Sequence, residues 1–222
     1  MKIFDLNFVI NLIPIMLKYL VVTLKISFLA LLLGLVVAII IALVVDAKVP
    51  ILNKLSKVYV SFFRGTPLVA QMFFIYFGLI QIIPALKGLK SFTAVVIVLG
   101  LNSSAYFSES LRGAISSVDK GQMEACYAFG MTYTQAMVRV ILPQAIRVAI
   151  PAMMNTFADI IKGSALAFTI GVTEIMSTAQ SEAAVTYKYL EAFTCVIIIY
   201  WSINLLLSFI QNKLEIKMSE AY

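Results

Sequence analysis

Residues 20–45 read LVVTLKISFLALLLGLVVAIIIALVV, and Lys25 is the only charge among them. A helix needs ~20 consecutive apolar residues to cross the ~30 Å hydrocarbon core of a bilayer. This run exceeds that length. A secretory leader has an apolar region of only ~7–15 residues followed by a small-residue cleavage site, and no such site follows here. Leu20–Val45 is therefore expected to be a true span, with Lys25 near one end, where its stem can carry the ammonium to the interface. The stretch before it, Ile3 to Lys18, is expected to be amphipathic.

The rest of the chain agrees with this run. Of its 222 residues, 62% are hydrophobic and 13% charged, with a mean hydropathy of +0.99. Soluble domains are ~45–50% apolar and ~25% charged, and so few charges cannot cover so much apolar surface. Four further apolar runs follow. The second is Val58 to Ile83, interrupted by Arg64-Gly65-Thr66-Pro67. Proline pushes the residue before it out of the helical region, so the membrane portion is placed at Leu68 to Ile83. The third runs from about Phe92 to Leu111, the fourth from about Pro143 to Ile161, and the last from about Ala192 to Ile210. Ala165 to Ile175 is too short to span and is expected to be re-entrant or interfacial. The expected fold is all-α integral membrane with five transmembrane helices, one domain over residues 1–222.

An odd number of spans puts the termini on opposite sides. With the N-terminus outside, the inner loops carry Lys48, Lys54, Lys57, Arg64, Arg112, Lys120, Arg139, Arg147, Lys213 and Lys217. The outer segments carry only Lys2, Lys18, Lys87, Lys90 and Lys188. Positive loops face the cytoplasm, so the N-terminus is expected outside and the C-terminus inside. The net charge of +6 is read as attraction to anionic membrane lipid rather than to nucleic acid.

Several chemistries are excluded by residue type. The chain has no histidine, which removes histidine metal ligands, Ser-His-Asp and Cys-His catalysis. Cys126 and Cys195 sit in a polar loop and an apolar helix and suggest no bridge. No metal site or catalytic site is expected. A stand-alone ion-coupled secondary transporter would often show inverted repeats, and none is visible. A small oligomeric channel stays open as an alternative, but gives no reason for a patterned loop.

That loop is residues 117–144, SVDKGQMEACYAFGMTYTQAMVRVILPQ. Gln122 to Phe129 are helix formers, and Gly130 suits the left-handed position that ends a helix. Thr132-Tyr133-Thr134-Gln135 fits a capping box. A second helix is expected to about Leu142, where Pro143 stops or redirects it. The loop thus reads as helix, sharp turn and second helix feeding the fourth span, a lever on which a partner can pull. Packing under its own bundle is the other reading.

At these residues the sequence resembles the permease subunits of ATP-binding-cassette importers. Their cytoplasmic loop carries Glu-Ala-Ala, a glycine, then Ile-x-Leu-Pro; here stand Glu124-Ala125-Cys126, Gly130 and Val140-Ile141-Leu142-Pro143, with Cys126 the departure. Phe63 to Gln71, Ala105-Tyr106 with Glu109 and Arg112-Gly113, Gly121-Gln122, Leu142 to Ala145 with Arg147, Pro151 and Asn155, and Ile170 to Glu174 resemble the polar-amino-acid branch, of histidine, glutamine and cystine type. Lys162-Gly163-Ser164-Ala165-Leu166 departs from that branch's Lys-Asp-Thr-Ser-Leu by losing an acid. Its wording resembles members assigned to cystine.

The resemblance implies a type I importer permease fold in the bacterial cytoplasmic membrane. It implies two ATPase subunits, a second permease subunit (identical or a paralogue), an extracytoplasmic solute-binding protein and a polar L-amino acid as cargo. Gly121, Glu124, Ala125, Cys126, Gly130, Leu142 and Pro143 would couple to the ATPases. The chain contains no G-x-x-x-x-G-K-[ST] loop, so ATP and Mg would bind the partner ATPase and this chain would hold no cofactor and be no enzyme. Asp159 and Lys162 stand at i and i+3 at membrane depth, where charge is costly. They either line the substrate path, with Asn155 and Ser164 nearby, or neutralise each other. Glu109 with Arg112, and Arg64 with Thr66, read as a gate or as interface anchors.

Overall fold

The computed structural model describes residues 4–46 and 49–219; Lys2, Ile3 and Lys48 of the sequence readings lie outside them. The described residues are almost wholly helical. Helix α1 (Leu6–Asp46) has 41 residues and at 1.5 Å per residue is about 60 Å long, twice the hydrocarbon thickness. The amphipathic stretch and the first span are thus one continuous rod, Pro14 included. Its inward stripe is Leu12, Met16, Thr23, Ile26, Ser27, Ala30 and Ala38. These positions recur at near-helical spacing, as one buried face requires.

Helix α2 (Pro50–Gly65) and helix α3 (Leu68–Ile82) meet at 111°. Thr66 and Pro67 form the corner, both extended, because Pro67 denies Thr66 the helical region. Ile51, Leu55, Val58 and Phe62 of α2 face outward at helical spacing, the stripe of a helix lying along a bilayer surface. Helix α3 widens into a π-turn at Phe74–Gly78. Helix α4 (Ser91–Ser117) is the central element, with buried Val95, Val98, Leu99, Ser103, Ser104, Phe107 and Ser108. It packs most closely on α1: a Cβ at Gly34 would lie 2.5 Å from Ser103 Oγ, and one at Gly100 would lie 2.7 Å from Leu33 Cδ2. Small residues let helices approach in this way where lipid supplies no hydrophobic drive.

Helix α5 (Lys120–Ala128) follows, then the long helix α6 (Tyr133–Ile170). Here the expected break at Pro143 is absent. The turn at Met137–Ile141 is a π-turn, with Leu142 N donating to Met137 O. This wider ladder carries the helix past a proline that has no N–H to give. Ala165–Ile170 likewise continues α6 as a tight 3-10 run instead of standing apart as a separate re-entrant piece. It ends on Gly171 at φ +82°. Helix α7 (Ile175–Thr186) and the last span, α8 (Tyr189–Ser219), complete the bundle. Among the described residues, four helices are long and apolar enough to cross a membrane, and the bent α2–α3 pair, counted as one span, raises the number to five.

Among the described residues three buried clusters hold the helices together, the smallest being Ala114, Ala145 and Ala149 between α4 and α6. Ile26, Met72, Val95, Leu99, Phe107, Ile160 and Ile170 join α1, α3, α4 and α6. Leu12, Met16, Ile161, Ile175, Ala179, Cys195 and Ile199 join α1, α6, α7 and α8. The outer faces carry exposed Ile39, Leu43, Ile197 and Leu206, where acyl chains supply the covering.

Candidate functional site

The elbow between α5 and α6 is built by local chemistry. Asp119 caps α5 with its Oδ1 accepting from Gly121 N at 2.7 Å, a cap the sequence reading did not include. The helix closes with Gly130 N donating to Tyr127 O at 2.9 Å and Met131 N to Cys126 O at 3.0 Å. This is the Schellman pair of bonds, and Gly130 takes the left-handed turn at φ +76°, as such a motif demands. Thr132 and Gln135 then exchange the two bonds of a capping box. Cys126 is turned inward, while Glu124 and Ala125 face out. Phe129 at the tip is 88% exposed. Leu142 and Pro143 lie on the first regular turn after the π-turn, so the elbow is continuous with a spanning helix.

A half-open cavity of about 300 Å³ is lined by Thr66, Leu68, Leu99, Asn102, Ser103, Tyr106, Thr156, Asp159 and Ile160. It sits between the α2–α3 corner, α4 and α6. Of the residues singled out for a path, Asp159 alone lines it, joined by Thr66 from the gate or interface set. Lys162 lies outside the lining, 2.7 Å from Asp159 Oδ1, with both side chains largely exposed. Asn155 is exposed, and Ser164 is buried and donates to Ile161 O at 2.7 Å; neither lines the cavity.

Beside the cavity, Arg112 holds Glu109 in a two-pronged pair, Nε–Oε1 3.1 Å and Nη2–Oε2 2.7 Å. Arg64 reaches the same carboxylate at 3.6 Å and lies 5.5 Å from the ring centre of the cavity residue Tyr106. The two suspected gate groups are therefore one cluster linking α2 to α4. Asn102, which the sequence analysis does not single out, and Gln71 take a larger part in this corner. Gln71 Nε2 donates to Phe63 O, Thr66 O and Thr66 Oγ1, and Asn102 Nδ2 donates to Phe63 O and Gln71 Oε1. Together they pin the bent corner to α4. Tyr59 adds a tie, its hydroxyl 2.9 Å from Leu101 O and 2.7 Å from Ser104 Oγ. Bonds between residues 31 and 39 apart in sequence leave no local pattern to read.

A family model described as the inner membrane component of binding-protein-dependent transport systems matches residues 34–220. The probable amino-acid ABC transporter permease protein PatM of Vibrio harveyi is 48% identical over 219 residues, covering 99% of this chain and 98% of that protein. The L-cystine transport system permease protein TcyL of Bacillus subtilis (strain 168) is 38% identical over 213 residues, covering 92% and 87%. Among solved structures, the crystal structure of an amino acid ABC transporter with histidines superposes with a TM-score of 0.89 at 35% identity, covering 96% of this chain and 99% of that one.

Proposed function

We propose a translocation role for this chain, which belongs to the family of inner-membrane components of binding-protein-dependent transport systems, and within it to the amino-acid ABC transporter permeases. It passes a polar L-amino acid through the bundle while separate ATPase subunits supply the energy. The observation that carries this reading is the elbow: an exposed helix end, Glu124 to Phe129, turned sharply by Gly130 and continuous with a spanning helix. Gly121, Glu124, Ala125, Gly130, Leu142 and Pro143 form or orient the docking surface, and Cys126 packs its inner side.

Two ATPase subunits grip two elbows, one from this chain and one from a second permease subunit, a copy or a paralogue. Closure of the ATPase pair draws the elbows together and rocks the spans between inward-open and outward-open arrangements. Such a shift requires that the two states differ in their contacts with nucleotide-loaded partners. ATP and Mg bind on the ATPase subunits, in keeping with the absence of a phosphate-binding loop here. An extracytoplasmic binding protein delivers the cargo. The elbow side is cytoplasmic, with the N-terminus outside and the C-terminus inside, in the bacterial cytoplasmic membrane.

The cavity bounded by Thr66, Asn102, Tyr106, Thr156 and Asp159 lies on the path, and Arg64, Glu109 and Arg112 gate it. Cystine is the cargo favoured by Lys162 to Gly171, and the similarity to an L-cystine permease supports it. The test is co-purification in mild detergent followed by reconstitution. An ATPase subunit should travel with the chain, and amino acid with binding protein should stimulate its hydrolysis, cystine most. Solute uptake by the purified chain alone, driven by an ion gradient and indifferent to ATP, would overturn the reading.

A further inference from the structure

Helix α2 carries three separate stripes at helical spacing. Ile51, Leu55, Val58 and Phe62 form an apolar stripe on the outer side, each exposed. Leu52, Ser56, Tyr59 and Phe63 form a second, and burial deepens along it from Leu52 to Phe63. This stripe faces the bundle, where the Tyr59 hydroxyl bonds to Leu101 O and Ser104 Oγ. Lys54, Lys57, Ser61 and Arg64 form the third and are exposed throughout.

The third stripe has no counter-charge on its own helix, since no acid stands between Pro50 and Gly65. Arg64 reaches Glu109 on α4. Lys54 and Lys57 enter no ion pair among the described residues. Their position relative to lipid follows from the path of the chain. The spans α3 and α4 cross in turn between α2 and the elbow, so α2 and the elbow lie at one face of the membrane. Tyr59 holds the middle of α2 to α4, and Gln71 and Asn102 hold its end through Phe63 O. The helix therefore cannot roll. Its apolar stripe stays among acyl chains, and the neighbouring ammonium groups reach the headgroups on their long stems.

We infer that α2 is a docking surface for anionic phospholipid, with Lys54 and Lys57 taking the headgroup phosphate and Ile51, Leu55, Val58 and Phe62 lying against the acyl chains. Charge complementarity selects this occupant. A zwitterionic headgroup already neutralises its own phosphate, whereas an anionic one brings a charge that the two unpaired ammonium groups, three residues apart, can answer.

The test reads tryptophan quenching by brominated lipids. The single tryptophan, Trp201, is 62% exposed on α8 and reports the general lipid shell. Trp201→Phe combined with Phe62→Trp, or with Val58→Trp where the first does not assemble, reports the shell of α2. The full chain is placed in phosphatidylcholine vesicles that contain brominated phosphatidylglycerol or brominated phosphatidylcholine. Phosphatidylglycerol should be preferred at α2 by roughly fivefold for each lysine it meets, and hardly at all at Trp201. Lys54→Gln with Lys57→Gln should bring the preference at α2 down to that at Trp201. Lys213→Gln with Lys217→Gln, at the same membrane face but on α8, should leave it intact. Added salt should shrink it. Equal quenching by the two lipids at α2, a preference that survives loss of both lysines, or one as large at Trp201 would each overturn the inference. So would an α2 tryptophan that neither lipid quenches, the sign of a protein covering the stripe. So would loss of the preference to inorganic phosphate but not to chloride at equal ionic strength, the sign of a site for free phosphate.

Discussion

Tyr200 Oη donates to Glu174 Oε2 across 3.1 Å, joining the last span to the buried start of α7. Glu174 has no exposed surface. It also accepts from Met176 N at 2.9 Å and Ser177 N at 2.8 Å as the N-cap of α7. The site thus combines a helix N-terminus with a carboxylate, which the helix dipole favours, and one long-range donor that fixes α8 against it. Burial pushes the Glu174 carboxyl above the usual range, and the bonds from Met176, Ser177 and Tyr200 pull it back. Tyr200→Phe removes the long-range donor and leaves the cap. We expect a loss of about 1–3 kcal/mol, read as a lower melting midpoint in detergent, with the α7 amides Met176 and Ser177 still protected from exchange.

The approach of α1 to α4 yields a second expectation. At Gly100 an added Cβ would meet three atoms of one Leu33 side chain, Cδ2 at 2.7 Å, Cγ at 2.9 Å and Cβ at 3.0 Å. The inner atoms of a side chain cannot swing away as its tip can. Gly100→Ala should cost about 1–3 kcal/mol, as overpacking does, with membrane insertion preserved. Gly113→Ala on the same helix, with nothing within 4 Å of the added carbon, should leave the melting midpoint unchanged or raised.

Much of this was legible in advance for a physical reason. The capping box at Thr132–Gln135 and the left-handed Gly130 are interactions among residues a few positions apart, so their spacing is the signal. The spans are legible because lipid selects residue type along whole segments. What was not legible is lateral. Pro143 signals a break locally, yet the π-turn at Met137–Ile141 absorbs it. Gln71 and Asn102 are unremarkable in their own helices and acquire a role only when α3 and α4 meet at the bent corner. Ser164 shares a stretch of chain with Asp159 but turns its hydroxyl back to Ile161 O, because a helix spreads neighbouring residues around its circumference, while Lys162, three residues on, reaches Asp159 itself.

The N-terminus offers a pH dependence. Lys188 Nζ lies 2.6 Å from Asp5 Oδ2 and 4.9 Å from the centre of the Phe8 ring, while Asp5 N donates to Glu191 Oε1 at 2.9 Å. The bond from Lys188, followed by that from Phe8 N, holds the Asp5 carboxyl below its ordinary value of 3.8. A carboxyl depressed in the folded state stabilises the fold above its unfolded value, and that contribution is lost as pH falls through the folded value. The tie is therefore intact at neutral pH and released in strong acid. Amide exchange at Phe8 and Val9 should accelerate below pH ~4 relative to the α4 core once the intrinsic pH effect is removed. Asp5→Asn should show the faster exchange already at neutral pH.

The elbow gives the expectation closest to function. Gly130 sits at φ +76° with nothing within 4 Å of the place its Cβ would occupy, so a substitution there is opposed by backbone conformation alone. A β-branched residue resists positive φ, at a cost of about 1–3 kcal/mol, whereas asparagine visits this region readily. Gly130→Val should open the turn, swing α5 off the axis of α6 and uncouple ATP hydrolysis from transport by about tenfold or more. Gly130→Asn should keep most of the coupling. Both variants should reach the membrane in normal amount, because Asp119, Thr132 and Gln135 still cap the two helices. Transport-coupled hydrolysis in vesicles separates the two, and a Gly130→Val chain with undiminished coupling would show that the angle of the elbow does not transmit force.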